Sequence, residues 1–324
     1  MKEELLKRLE RDLCLDEKFR VRRKPEVKKE FFAYAEKFFA ERGYTGYADG
    51  DFYDKKDKAN LIFGDENSAD VILTAHYDTP KNNAGLKPFM FLFNKAGFFA
   101  QGFSMLFVLA LVAVPAILFG VYLHSALSVL WIALMSAWVF PNYFIFDNKF
   151  NFNDNMSGCI ALFYLADKIA VERPELKDRL CFVFTDKEES GVKGAKKFKE
   201  RLLKKLGKEE LAKKINLNFD CVGGRDPLNF LVTNTDGGLG IAEKIAKGRD
   251  FGVYKWRIVN MDTHAFKELR SVSFCTASVR YGVKSLLESK DIHTNRDDYL
   301  DVERLAYHAD AAYVFLTGAG NVFL

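Results

Sequence analysis

Apolar residues along the chain follow three regimes. Up to about Thr79 they recur at helical spacing in "EELLKRLERDL" and "VKKEFFAYAEKFFAERG", with Gly43 closing the second helix as a C-terminal cap. "ANLIFG" and "ADVILTAHYD" are short apolar runs with β-branched residues. They predict a half-buried hairpin feeding a central strand that ends near His76. From about Asn151 to Leu324 the pattern alternates. "MSGCIALFYLADKIAVE", "GVKGAKKFKERLLKKLG", "GGLGIAEKIAKGR" and "VERLAYHADAAYVFLTG" read as helices, and "RLCFVF", "INLNFDCVG" and "VSFCTASV" as strands. The alternation predicts an α/β fold, a mostly parallel central sheet with helices on both faces. Ligands of such sheets sit beyond the carboxyl ends of the strands.

The middle regime is different. Between Lys95 and Asp147 there is no Asp, Glu, Lys or Arg. The stretch 103–123 matches the roughly 20 apolar residues of a membrane-crossing helix, and 126–146 follows at once. This predicts an inserted two-helix transmembrane hairpin, with Trp131, Trp138, Tyr122 and Tyr143 as interfacial anchors and a kink or tilt near Pro141. Lys81, Lys87, Lys95 and Lys149 flank the hairpin, so the positive-inside rule puts both ends in the cytoplasm. The expected organisation is then 1–81 as the first part of a catalytic α/β domain, 82–148 as the membrane hairpin, and 149–324 as the rest of the catalytic domain. The expected placement is a multi-pass membrane protein with its charged domain in the cytoplasm and the lipid bilayer as a partner.

Composition adds exclusions. A net charge of +4 over 324 residues, without zinc-finger spacing or interleaved aromatic and basic residues, argues against nucleic acid. Five scattered cysteines without a C-x-x-C pair predict reduced thiols in the core. "MKEELLKRLERDL" has no apolar h-region, so no secretory signal peptide is expected. Nothing in the pattern bears on oligomeric state.

The candidate chemistry falls at strand ends. His76 closes "VILTAH" with Asp78 two residues on, where a carboxylate can take the second ring N–H of a metal-binding histidine. Asp154 lies in "NDNMSG" before a helix, where the ordinary reading is an N-cap. Glu188 and Glu189 follow "LCFVF"; neighbouring carboxylates out of bulk water resist ionisation unless a cation or a proton-transfer task uses them. Asp220 ends "INLNF", and His293 stands in "DIHTNRDD" before the last helix. Each has a bland alternative alone. Together they form an oxygen-rich set with two imidazoles, suited to a pair of divalent ions such as zinc.

At these residues the chain resembles the M28 metallopeptidases, co-catalytic zinc aminopeptidases and their relatives. The matching segments are "HYD" at 76–78, "DNMSG" at 154–158, "EESGVKGA" at 188–195, "NFDCVG" at 218–223 and "HTNRDD" at 293–298. The resemblance implies a zinc exopeptidase-like fold and two Zn2+, other divalent ions being compatible with the ligands. It implies that Asp154 bridges the ions, that His76 and Asp220 complete one and Glu189 and His293 the other, that Glu188 is the general base, and that Asp78 orients His76. "MDTHAFKELRSVSF", with Asp262 and His264, matches the substrate-side segment more loosely. The implied function is removal of N-terminal residues from peptides by a membrane-tethered enzyme acting near the bilayer. The alternatives are a glutaminyl cyclase-like zinc acyltransferase, a zinc carboxypeptidase, and a non-enzymatic membrane scaffold with a peptidase fold.

Overall fold

The computed structural model describes residues 2–80, 110, 113–123, 125–140, 148–256, 261–280 and 283–318. Helix α1 spans Lys2–Glu10, α2 Glu17–Arg20 and α3 Pro25–Ala40; strands β1 Gly46–Asp49, β2 Asn60–Phe63 and β3 Val71–His76 follow. Beyond the middle stretch, which contributes α4 at Ser125–Phe140, come α5 Gly158–Glu172, β4 Leu180–Thr185, α6 Lys193–Lys213 and β5 Ile215–Phe219. The remainder is β6 Leu228–Thr233, α7 Asp236–Ala246, β7 Gly252–Lys255, β8 Arg270–Arg280, β9 Val283–Glu288 and α8 Val302–Thr317.

The strands form a sheet of order β1-β2-β4-β3-β5-β8-β6-β7, with β9 paired to β8. The β4-β3-β5-β8 centre is parallel, as is β6-β7, whereas β1-β2, β2-β4, β6-β8 and β8-β9 are antiparallel. The sheet is therefore mixed rather than mostly parallel. The expected hairpin between "ANLIFG" and "ADVILTAHYD" does not form: β4 lies between β2 and β3, and both runs are buried throughout instead of half-buried. Two buried faces suit fully apolar strands, and that pattern carries no information about which neighbour each strand takes.

Side chains alternate between the two faces of the strands. Val71, Leu73 and Ala75 face the same side as Phe182, Phe184, Leu217 and Phe219, against α1, α3, α5, α7 and α8. Ile72, Cys181 and Val183 face Phe198 and Leu202 of α6 on the other side. Phe39 of α3 anchors the larger layer, stacked on Phe63 with ring centroids 4.3 Å apart and flanked by Phe163, Phe182 and Phe184. All five cysteines are free and buried. Gly43 takes φ +78° after α3, as a C-terminal cap requires.

The membrane expectation is overturned. Among the described residues no helix is long and apolar enough to cross a membrane. The described part of α4, Ser125–Phe140, has 16 residues, about 24 Å at 1.5 Å per residue. Before it, residues 113–118 are α-helical and continue as a π-helix at Phe119–Leu123 that contacts α4; Ser128 Oγ of α4 donates to the Ala116 carbonyl at 2.6 Å. Residues 103–109, 111 and 112 of the first expected span and 141–146 of the second lie outside the described residues. The multi-pass placement, the cytoplasmic orientation derived from it and the bilayer contact fall together.

Candidate functional site

The parallel centre of the sheet delivers its strand ends to one rim. His76 ends β3, and Glu188 and Glu189 lie just beyond β4, which ends at Thr185 opposite His76 in register. Asp220 immediately follows β5. Asp154 arrives in the turn before α5, and His293 in the loop before α8. Asp154 is no N-cap: helical geometry begins only near Ser157, and φ/ψ at Asp154 are −115° and 89°.

The side chains meet around the Asp154 carboxylate. Its Oδ1 lies 3.0 Å from His76 Nε2 and its Oδ2 2.9 Å from His293 Nε2, so each oxygen faces a different imidazole. His76 Nε2 also lies 3.8 Å from Asp220 Oδ1, and His293 Nε2 3.2 Å from Glu189 Oε2. Donor atoms of His76, Asp154 and Glu189 lie within 4.8 Å of one another, as do those of Asp154, Asp220 and Cys221. The Oδ1 of Asp78 is 3.5 Å from His76 Nδ1 and accepts the Glu188 main-chain N–H at 3.0 Å. His76, Asp78, Asp154, Glu189, Asp220 and His293, all named by the sequence pattern, thus share one pocket with Glu188.

Local backbone accounts for the display. After β4 the chain turns back on itself, Gly191 and Val192 both donating to the Glu188 carbonyl at 2.8 Å. Lys187, Cys221 and His293 take positive φ of 54°, 57° and 59°. Such conformations are uncommon for side chains with a Cβ and cluster at functional sites. Each is a ligand candidate or lies within two residues of one. Gly158 permits a close approach, because a Cβ there would lie 2.2 Å from the Phe219 carbonyl oxygen. Asn155 joins the two sides, donating to that carbonyl at 2.8 Å and accepting from the Gly158 and Cys221 N–H groups at 3.0 and 3.2 Å.

Electrostatics follow from crowding. Burial alone would lower the His76 and His293 pKa values, but Asp154, Asp220 and Asp78 around the first and Glu189 and Asp154 around the second outweigh it and raise both. Burial also opposes the Asp154 charge, yet its two imidazole partners hold its carboxyl below the ordinary range. Glu188 is pushed well above its ordinary value by burial and by Glu189, Asp220 and Asp262. Glu189 is raised by burial and Asp154, and its Oε1 is buried without a hydrogen-bond partner among the described residues. A pocket with this excess of carboxylate over fixed positive charge, an orphaned oxygen and imidazole nitrogens turned inward fits divalent cations with nitrogen and oxygen ligands.

Three further residues belong to the site. Asp262, singled out in "MDTHAF", is buried and accepts from the Thr185 hydroxyl; burial, with Asp220 and Asp78, pushes it up to about 7. Asp297 is buried and accepts the N–H groups of Asn153 and Asp154. Asp186, between β4 and Glu188, pairs with the buried Lys28 of α3. Neither Asp297 nor Asp186 stands out in the sequence pattern, although both lie inside or beside quoted motif segments. His264 is half-buried and stays below its ordinary pKa through burial and the charges of Lys196 and Lys267.

Solved structures share the architecture at low sequence identity. LapB of Legionella pneumophila superposes with a TM-score of 0.60 at 13% identity, over 99% of this chain and 71% of that one. The LapA aminopeptidase of the same organism gives 0.56 at 13% identity, over 98% and 69%. The glutaminyl cyclase of Porphyromonas gingivalis gives 0.59 at 12% identity, over 98% of each chain. At these identities the likeness is one of fold. The chain matches no curated protein sequence. Residues 147–315, more than half of the chain and including all but the first of the ligand candidates, match the family model of Peptidase family M28, and the chain belongs to that family.

Proposed function

We propose that the protein is a metal-dependent exopeptidase that removes N-terminal residues from peptides, with 1–81 and 149–324 forming its catalytic domain around the intervening segment 82–148. The observation that carries this reading is the Asp154 carboxylate with one oxygen toward His76 and the other toward His293. A carboxylate so placed suits two zinc ions, His76 and Asp220 serving one and Glu189 and His293 the other. When bound, such ions lower the pKa of water and stabilise the oxyanion of peptide hydrolysis.

The chain's own groups supply the rest. Glu188, turned to the pocket but outside the ligand contacts, accepts the proton of the attacking water and delivers it to the leaving amine. In the metal-free pocket, burial together with Glu189, Asp220 and Asp262 raises its pKa, and cations bound to its neighbours would oppose that rise. Asp78 steadies the His76 ring from the Nδ1 side and pins the Glu188 main chain with the same oxygen. The base and a ligand therefore share one anchor.

A second reading, intramolecular acyl transfer at an N-terminal glutamine, is favoured by the end-to-end match with a glutaminyl cyclase fold. The deciding experiment combines metal analysis with product analysis on peptides that have free or blocked ends. The proposal expects two zinc ions per chain, loss of activity on chelation, and release of the N-terminal residue only from peptides with a free amine. Cyclised product with one ion per chain would transfer the assignment to the second reading. Cleavage that depends on a free carboxylate would make the enzyme a carboxypeptidase.

A further inference from the structure

We propose that Asp297 is a positioning residue that clamps the main chain of the Asp154 turn and so holds the Asp154 carboxylate between His76 and His293. The inference rests on the reading of Asp154 as a shared metal ligand. Asp297 accepts from three successive residues: Phe152 N–H to its carbonyl at 3.0 Å, Asn153 N–H to Oδ1 at 2.7 Å, and Asp154 N–H to Oδ2 at 3.0 Å. The residue is 2% exposed. A carboxylate buried to that depth is costly unless its oxygens are hydrogen-bonded, and here both are engaged by neighbouring amides of one turn.

The grip is on the main chain, which leaves both side-chain oxygens of Asp154 directed at the two imidazoles. The clamp also joins two ligand segments. Asp297 follows His293 by one turn of chain and donates its own N–H to the Thr294 carbonyl at 3.2 Å. Next to it, Asn295 Oδ1 accepts the Lys149 N–H at 2.8 Å. The segment that carries His293 is thereby hydrogen-bonded to the segment that carries Asp154 at four points. Such ordering is completed on folding, and metal binding does not have to bear its entropic cost.

The test uses the full chain with Asp297→Asn, in which one oxygen becomes an NH2 facing a main-chain donor, and Asp297→Ala, in which both acceptors are lost. Zinc affinity is measured by competition with a chromophoric chelator, and kcat and KM at saturating zinc with an aminoacyl anilide. Zinc affinity should fall about 10–100-fold in Asp297→Ala and less in Asp297→Asn, the range found when outer partners of metal ligands are removed. At saturating zinc, kcat should fall with KM nearly unchanged. Folded Asp297→Ala protein with wild-type zinc affinity and kcat would overturn the proposal. If neither variant folds, hydrogen exchange on metal-free wild-type protein decides. Protected amides at 152–154 support the clamp, and exchange at the rate of an open loop overturns it. A wild-type chain that binds no divalent ion removes the metal reading and this inference together; normal zinc binding with an indifferent Asp297→Ala removes this inference alone.

Discussion

Glu188→Gln separates the chemistry of the pocket from its construction. The substitution keeps shape and volume but removes the proton acceptor. The anchor of the residue is its main-chain N–H on Asp78 Oδ1 at 3.0 Å, which Gln retains, and Glu188 is no member of the ligand groups around Asp154. Zinc content should therefore stay at the wild-type value. Turnover should drop about 10²–10⁴-fold, the usual worth of a general base, equivalent to about 2.7–5.4 kcal/mol at 1.36 kcal/mol per tenfold. Stability should move the other way. In the metal-free protein, burial and the charges of Glu189, Asp220 and Asp262 raise the Glu188 pKa above its unfolded value. An acid with a raised folded pKa costs stability once pH exceeds the unfolded value of about 4.3, because the unfolded chain then releases a proton that the fold retains. A neutral amide removes that cost, so the metal-free variant should melt at or above the wild-type temperature at pH 7. The assays are hydrolysis of an aminoacyl anilide, metal analysis and thermal unfolding after chelation. A variant that keeps a third or more of wild-type kcat/KM, or melts well below it, would refute the reasoning.

Other substitutions probe the scaffold. Phe39→Ala should cost about 3–5 kcal/mol in denaturant unfolding, because Phe39 is fully buried against the rings of Tyr44, Phe63, Phe163, Phe182 and Phe184. Gly158→Ala should cost about 1–3 kcal/mol and lower turnover at limiting zinc, since the added methyl would sit 2.2 Å from the Phe219 carbonyl and 2.5 Å from Asn155 Oδ1, between the Asp154 and Asp220 segments. His308 of α8 is buried against Phe251, with Nε2 3.0 Å from Asn229 Oδ1; burial, with Arg304 adding, lowers its pKa to about 3. The unfolded chain then binds this proton first, so the His308 contribution is complete above pH of about 6.5 and is lost on acidification by about 1.4 kcal/mol per pH unit down to about 3. In His308→Gln, unfolding free energies measured from pH 7 to 4 should lack that one-proton slope; an unchanged slope would refute it.

The positions of the candidate ligands were legible because parallel strands end at one rim and His76, Glu189 and Asp220 each close or follow an apolar run of strand length. What escaped is what acts through the main chain or through buried polar contacts. Asp297 and Asn155 bind backbone groups of residues far away in sequence, and no spacing rule reports such partners. "INLNF" alternates as a strand with one solvated face would, yet Asn216 and Asn218 are buried in a network with Thr74, Ser271 and Ser273. Alternation records polarity and cannot tell water from a satisfied polar interior. The charge-free middle stretch misled for a related reason. Hydropathy counts apolar residues in a line, whereas crossing a bilayer requires one helix that is both long and apolar enough, and no helix among the described residues is.

The sheet order has a consequence for biogenesis. Strand β3 is made early, but its two partners, paired through Leu180 and Ile215 opposite Val71, are synthesised more than a hundred residues later. At translation rates of about 5–20 residues per second, the nascent "VILTAH" segment waits on the order of ten seconds with both hydrogen-bonding edges open. Such an unsatisfied apolar ribbon is a template for self-association. The expected consequence is that a holding chaperone present during synthesis raises the yield of folded protein more than one added to the finished chain.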